Sequence, residues 1–529
     1  MTTQPSKSQT CLRAGVAQVD ITCQPGGTYD ELLPEKAKQH IPREYLGTRL
    51  VVDDPLSARV LVLDDGRAKM VLVTMDVTAI GARSISQNIL SDSADDFMPN
   101  LRARLAADFD IPPESVSVSA SHVHQTPRML CEDAAQIDRI AAAVAEALGS
   151  MAPVVAGVGS GHENTLTFNR TIMLKDGTDY TLPPYPREED IAGLRPIDPE
   201  IGILRIDRLD GSPLAVLYVF GTHLLQGSPQ GNVGHVTADH VGVARQYLEE
   251  AIGGGVVAFF LQGAGGDVNE VTVADHSNRR RVTEFGTKLG QSVLAGYAGV
   301  AAGPAQLAIA IRNVELPLRN DIPDLLARLD ERQNELRASL NTAYAYLLSF
   351  KEFLPLYLRY ALSPEYPSNL SYRYLKAAEI GDNSLEEEDA RNRLEIEKYL
   401  ERIQTMEEMT RNELKISMLK KHQEVITGIG RPTIDAEIRA LMIGECVLLA
   451  APMEMLTEVG LNVKKMSPFP HTHVVALTNG YLHYAPPAAY YPRGGYEVNE
   501  CLLAPEWEEV FYAAVGELFE ELQEKACGA

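Results

Sequence analysis

Apolar and polar positions alternate with a period of two over Ser115-Val-Ser-Val-Ser-Ala-Ser-His-Val-His124, a pattern that predicts a β-strand. On such a strand Val116, Val118 and Ala120 share a face with His122 and His124, and Ser117, Ser119 and Ser121 take the other. Gln125, Thr126 and Pro127 follow and predict the strand's end. Apolar runs predict further strands at 12–22, 54–66 and 69–76, the last two joined by an Asp-Asp-Gly turn. The run 69–76 alternates weakly, which predicts a strand buried on both faces. Residues 83–109 predict a helix interrupted near Pro99, and 133–151 an amphipathic, alanine-rich one.

Farther along, 153–210 predicts short strands and a polar loop, with Arg170 on or beside a strand. The apolar run 213–223 predicts a strand that terminates in His223. A helix opening at Asp239 and a strand over 256–262 come next, the strand entering the turn Gly263-Ala-Gly-Gly-Asp-Val-Asn269. No G-K-[ST] or G-x-G-x-x-G follows, so these glycines predict close backbone approach rather than a phosphate cradle. From about 320 to 428 the chain turns rich in Leu, Glu, Arg and Lys with helical spacing, as in Leu325/Leu329 and Leu394/Ile396/Tyr399/Ile403. The β pattern returns at 434–445 and 446–454 as a hairpin with a Gly-Glu turn, its second strand running into Glu454. A helix to about Met466, a strand at 472–478, an aromatic loop over 479–497 and a helix over 505–525 complete the chain. The expected fold is α/β: a large layered domain of mixed β-sheets flanked by helices, formed by 1–318 and 430–529, with an inserted helical subdomain at 319–429.

The 529 residues carry a net charge of −24, which argues against nucleic acid or an anionic membrane as the main partner. The first ten residues hold no apolar h-region, and no run approaches the roughly 18 apolar residues of a membrane span. Six scattered cysteines without a C-x-x-C pair fit a reducing cytoplasm and leave any metal to nitrogen and oxygen ligands. A cytoplasmic protein acting on a small molecule is the expectation, with the helical insertion available for homo-oligomer contacts.

The chemistry concentrates at strand ends. Residues i and i+2 of a strand lie about 6.5–7 Å apart, close enough for His122 and His124 to converge on one ion. His223 and Glu454 end two other apolar strands. Buried imidazoles and carboxylates are costly unless paired or metal-bound, and two or three histidines with one carboxylate are the ligand set of a catalytic zinc site. The residues alone leave a second account open, in which these histidines are hydrogen-bonded members of a packed interior.

In these motifs the chain resembles the catalytic domain of the neutral (non-lysosomal) ceramidases and their bacterial relatives. The matching stretches are Ala14-Gly-Val-Ala-Gln-Val-Asp-Ile-Thr22, Asp54-Pro-Leu with Asp64-Asp-Gly66, Ser119-Ala-Ser-His-Val-His124, Phe168-Asn-Arg170, Phe220-Gly-Thr-His223, Thr237-Ala-Asp239, Gln262-Gly-Ala-Gly-Gly-Asp-Val-Asn269, Ala451-Pro-Met-Glu454 and Asn479-Gly-Tyr481 with Tyr496-Glu497. The resemblance implies one Zn2+ per chain, held by His122, His223, Glu454 and Tyr484. It implies that His124, Arg170 and Tyr496 serve the reaction, lining a substrate amide and stabilising an oxyanion. Asp239 and Asp267 are expected to support the ligands or the substrate. The chain departs from the family in Gln125-Thr126-Pro127 after the histidines, in Pro486-Pro-Ala-Ala-Tyr490 of the aromatic loop, and in ending without the family's C-terminal β-sandwich domain. The expected activity is a zinc-dependent hydrolase whose activated water attacks an amide or ester of a soluble substrate. Two alternatives are a metal-dependent enzyme on the same fold acting on a carbohydrate or polyol, and a non-catalytic assembly scaffold.

Overall fold

Eight strands of mostly apolar sequence form the larger sheet: β1 (Arg13–Asp20), β2 (Ser57–Asp64), β3 (Lys69–Met75), β4 (Val116–Ala120), β5 (Ala152–His162), β6 (Glu200–Arg208), β7 (Pro213–Phe220) and β8 (Val257–Gln262). This computed structural model describes residues 11–22, 47, 51–81, 96–124, 133–181, 186–226, 235–271, 282–341 and 348–527. The spatial order is β8-β7-β6-β5-β1-β2-β3-β4. Pairing is antiparallel except for β7 with β8 and β3 with β4, so the sheet is mixed. A second sheet runs β9 (Leu307–Pro317), β10 (Thr433–Ile443), β11 (Cys446–Ala450) and β12 (His471–Val475) in that order, with β11 and β12 parallel.

The period of two decides what each face of the sheet meets. On β2, Leu61 and Leu63 pack with Leu441, Ile443 and Leu448 of the second sheet. Val60 and Val62, one residue out of phase, pack instead with Ile137, Ile140 and Val144 of the helix Asp133–Gly149. Full burial of one such side chain is worth about 1.5–3 kcal/mol. On the outer face of β7 and β8, Tyr218 and Phe260 meet Val241, Leu248, Phe285 and Leu289 from the helices Asp239–Ile252 and Val282–Tyr297. The helix Trp507–Cys527 lays Phe511, Val515 and Leu518 against Ile434 and Ile438 of β10. Helices therefore cover both outer faces of two stacked sheets, the mixed α/β layering expected from the sequence.

The chain divides into two compact units, residues 1–319 with 425–529 and residues 320–424. The second is helical, with helices Ile322–Asn341, Phe350–Leu362 and Ser371–Ile380 and most of Ser384–Ile429. Inside it a capping box between Ser349 and Glu352 starts the second helix, and Asp389 accepts hydrogen bonds from Tyr360 and Tyr374, each at 2.7 Å. Among the described residues no helix is long and apolar enough to cross a membrane.

Three expectations are corrected. The described part of the first helix, Phe97–Phe109, is not interrupted at Pro99, which occupies its first turn, where a missing N–H breaks no bond; residues 83–95 lie outside the described residues. The segment 153–210 holds two long strands, β5 and β6, paired over nine residues, rather than only short ones. The strand leading to the histidines stops at Ala120, and His122 has φ 67°, a left-handed conformation that no strand continues through. Gln125, Thr126 and Pro127 lie outside the described residues.

Candidate metal centre

Strand ends supply the site. After β4 the chain turns at His122, and Val123 then bridges to Leu224, which directly follows His223 at the exit of β7. This cross-link brings the histidines of two strands together: the His122 ring lies 4.6 Å from that of His124 and 5.0 Å from that of His223. Glu454 comes from the second sheet's side. It does not extend β11 but belongs to a separate two-residue strand, Glu454–Met455, paired in parallel with Tyr484–Ala485, so that Glu454 and Tyr484 are neighbours in register. In the intervening turn Gly265 and Gly266 leave no room for a side chain. A Cβ on Gly265 would stand 2.8 Å from Thr222 N, and one on Gly266 would stand 2.9 Å from Glu454 O. Close approach is the reason for these glycines, as the sequence predicts.

The hydrogen bonds fix which ring nitrogens face inward. His122 Nδ1 lies 2.9 Å from Thr78 O, and His223 Nδ1 lies 2.8 Å from Val268 O. A carbonyl accepts, so both Nδ1 atoms donate and both Nε2 atoms are turned to the interior. There His122 Nε2 stands 3.2 Å, and His223 Nε2 3.1 Å, from the same oxygen, Glu454 Oε1. His124 Nε2 is 3.3 Å from His122 Nε2. Tyr481 donates to the other carboxylate oxygen, Glu454 Oε2, at 3.0 Å.

Electrostatics separates the imidazoles of His122 and His223. Burial works against a charge on His122, yet the Glu454 carboxylate outweighs it and the net shift is upward. Burial and then the Arg170 guanidinium lower His223 to about 4. Burial alone would push Glu454 up, but the two imidazoles hold it well below the usual carboxylate range. A proton on His122 satisfies one contact and leaves neutral His223 facing the carboxylate lone pair to lone pair. Among the described residues His223 Nε2 and Glu454 Oε1 indeed have no hydrogen-bond partner. One cation satisfies all three atoms. Ligands about 2.0–2.1 Å from a tetrahedral zinc are about 3.3–3.4 Å apart, close to the separations present here. The residues fit the implied ion.

The supporting residues form a second tier. Arg170 Nε donates to Glu497 Oε1 at 2.7 Å, and its Nη2 donates to Tyr484 OH at 3.0 Å and to Gly266 O at 2.8 Å. Its guanidinium lies 5.4 Å from the Tyr496 ring centre, and the Tyr484 and Tyr496 rings are 5.6 Å apart. Burial, then the nearby Glu454 carboxylate, raises the Tyr484 phenol well above its ordinary value. Asp267 accepts from Thr457 N and Oγ1, each at 2.8 Å, and from Asn169 Nδ2 at 2.7 Å, pinning the neighbours of Glu454 and Arg170.

The structure thus brings together His122, His124, His223, Glu454, Tyr484, Arg170, Tyr496 and, as a support, Asp267. Asp239 is elsewhere in the hydrogen-bond pattern, beside His240 and Glu270. Sequence reasoning missed Tyr481, which sits in the quoted Asn-Gly-Tyr motif without a spacing that marks it. It also missed Thr78 and Val268, which act through backbone carbonyls. A cleft of about 700 Å³ lined by Asp64, Arg67, Lys69, Asp110, Glu114 and Lys525 lies at the other ends of β2 and β3, away from the imidazoles.

No family model and no curated protein matches this sequence. Solved structures similar in fold include two ceramidases. A neutral ceramidase from Pseudomonas aeruginosa aligns with a TM-score of 0.57 at 15% identity, over 97% of this chain and 75% of that one. A ceramidase complexed with C2 aligns with a TM-score of 0.60, also at 15% identity, over 98% of this chain and 76% of that one. The chain has the neutral ceramidase fold.

Proposed function

We propose that this chain is a zinc-dependent hydrolase that cleaves an amide or ester of a soluble substrate. The observation that carries the reading is the convergence of His122 Nε2 and His223 Nε2 on Glu454 Oε1, with both Nδ1 atoms committed to backbone carbonyls. His122, His223, Glu454 and Tyr484 would hold the ion. When bound, zinc supplies Lewis-acid chemistry, bringing the pKa of water to about 7 and polarising a carbonyl. The likeness to ceramidases brings an N-acyl amide to this chain as the bond class.

The other residues have roles that follow from their places. His124 is partly exposed beside the buried His122, which suits it to take a proton from water and deliver it to a leaving amine or alcohol. Arg170, clamped by Glu497, puts a fixed positive charge beside Tyr484 and Tyr496. Such a charge, with the Tyr496 hydroxyl as a donor, stabilises an oxyanion without reorganisation. The preference for a soluble substrate rests on the aromatic loop, which is packed inward: Tyr490 is buried with Leu456 and Val498, and Trp507 Nε1 donates to Pro486 O at 3.0 Å.

The test is hydrolysis of short N-acyl amides, aryl esters and N-acylsphingosine by protein stripped with a chelator and then given zinc. The reading expects cleavage of soluble amides or esters that vanishes on stripping and returns with zinc. No cleavage of any amide or ester after zinc is restored would overturn it.

A further inference from the structure

A second group of ligating side chains lies apart from these residues. Asp239 and His240 open the helix Asp239–Ile252, and Glu270 ends the short strand Val268–Glu270. All three are buried, with relative exposures of 1%, 0% and 0%. His240 Nδ1 stands 3.1 Å from Asp239 Oδ1 and 3.6 Å from Glu270 Oε1, and one ligand atom from each residue falls within 4.8 Å of the others. These separations bracket the edge of about 3.3–3.4 Å expected around a tetrahedral ion.

A further observation points to a ligand. Glu270 Oε2 has no hydrogen-bond partner among the described residues, although the side chain is fully buried. Burial, then the Asp239 carboxylate, raises Glu270 well above the usual carboxylate range, and a cation between the two carboxylates would remove that repulsion.

We propose that Asp239, His240 and Glu270 bind a second divalent first-row cation. One imidazole and two carboxylates without sulfur select an ion such as Zn2+ or Mn2+ rather than a soft one. The site is structural. Glu270 Oε1 also accepts from Leu225 N at 2.8 Å, two residues beyond His223, and His223 Nδ1 leans on Val268 O, two residues before Glu270. An ion here ties the start of a helix to the two segments that hold His223 in place.

The experiment uses the full chain, stripped and dialysed separately against Zn2+ and Mn2+, with metal counted by elemental analysis and unfolding followed by heat. In the His223→Ala background, disabled only at the other centre, about one equivalent per chain is expected to remain. It is expected to disappear in His223→Ala/Glu270→Gln and in His223→Ala/His240→Gln, and its removal from wild type is expected to lower the Tm. A His223→Ala protein that binds neither ion overturns the proposal, a result that does not depend on whether the double variants fold. Retention of the ion after Glu270→Gln and His240→Gln overturns it equally. The proposed hydrolase fails separately, when wild type and His223→Ala hold the same amount of metal.

Discussion

Tyr481 donates its hydroxyl to Glu454 Oε2 at 3.0 Å, leaving Oε1 as the oxygen that faces His122 and His223. Both residues are buried, so the bond settles which way the carboxylate points. Tyr481→Phe keeps the ring and leaves Oε2 without its donor, a loss of about 1–3 kcal/mol. Removing such an outer partner costs about 10–100-fold in metal affinity. Competition with a chromogenic chelator reads that change, and wild-type affinity in Tyr481→Phe would show that the carboxylate is oriented without it.

Gly266 gives a steric test of the same carboxylate. Its added Cβ would meet Glu454 O at 2.9 Å and Tyr484 Cδ1 at 3.3 Å, and the nearer atom is backbone that cannot rotate away. Gly266→Ala is expected to shift Glu454 and Tyr484 and to weaken zinc binding about 10-fold or more. Chelator competition with full retention of affinity would mean that the turn yields instead.

Arg170 and Glu497 form an almost fully buried pair at 2.7 Å. Arg170→Met strands the carboxylate and is expected to destabilise the chain by about 3–5 kcal/mol. Glu497→Gln added to it removes the stranded charge, so the double variant is expected to be more stable than Arg170→Met in urea unfolding while remaining inactive. Equal stability of the two would show that Glu497 is not charged in the folded chain.

Acid stability has an identifiable source at His473, packed where a Cβ on Gly202 would touch its ring at 2.6 Å. Burial, then the Lys464 ammonium, lowers His473 from 6.5 to about 4. The folded state therefore refuses a proton that the unfolded state accepts. Its contribution is complete above pH 6.5 and is lost as the pH falls toward 4, by about 3 kcal/mol. His473→Gln is expected to lose less stability than wild type between pH 7 and pH 4.5. Parallel losses in urea unfolding would assign the acid sensitivity to other groups.

The layered fold was legible because period-two alternation survives burial: the out-of-phase residues of β2 part cleanly between the opposite sheet and a helix. The site was legible only in part. Strand periodicity places His122 and His124 on one face, but their actual meeting follows from a left-handed turn at His122 that alternation does not encode. The glycines at 263–266 announce close approach, because no other residue type fits against Thr222 and Glu454. Tyr481 announces nothing, since a tyrosine in an irregular loop has no periodicity, and the carbonyls of Thr78 and Val268 have no side-chain signature at all. Asp239 was expected beside Asp267 as a support for the ligands or the substrate, and its contacts lie with His240 and Glu270.

The central claim is that His122, His223 and Glu454 share one zinc. Elemental analysis of purified wild type beside His223→Ala, both reconstituted with zinc, tests it most directly. The account predicts that the variant holds about one zinc fewer per chain than wild type. Equal zinc in the two proteins, or none in wild type after zinc is supplied, would contradict it.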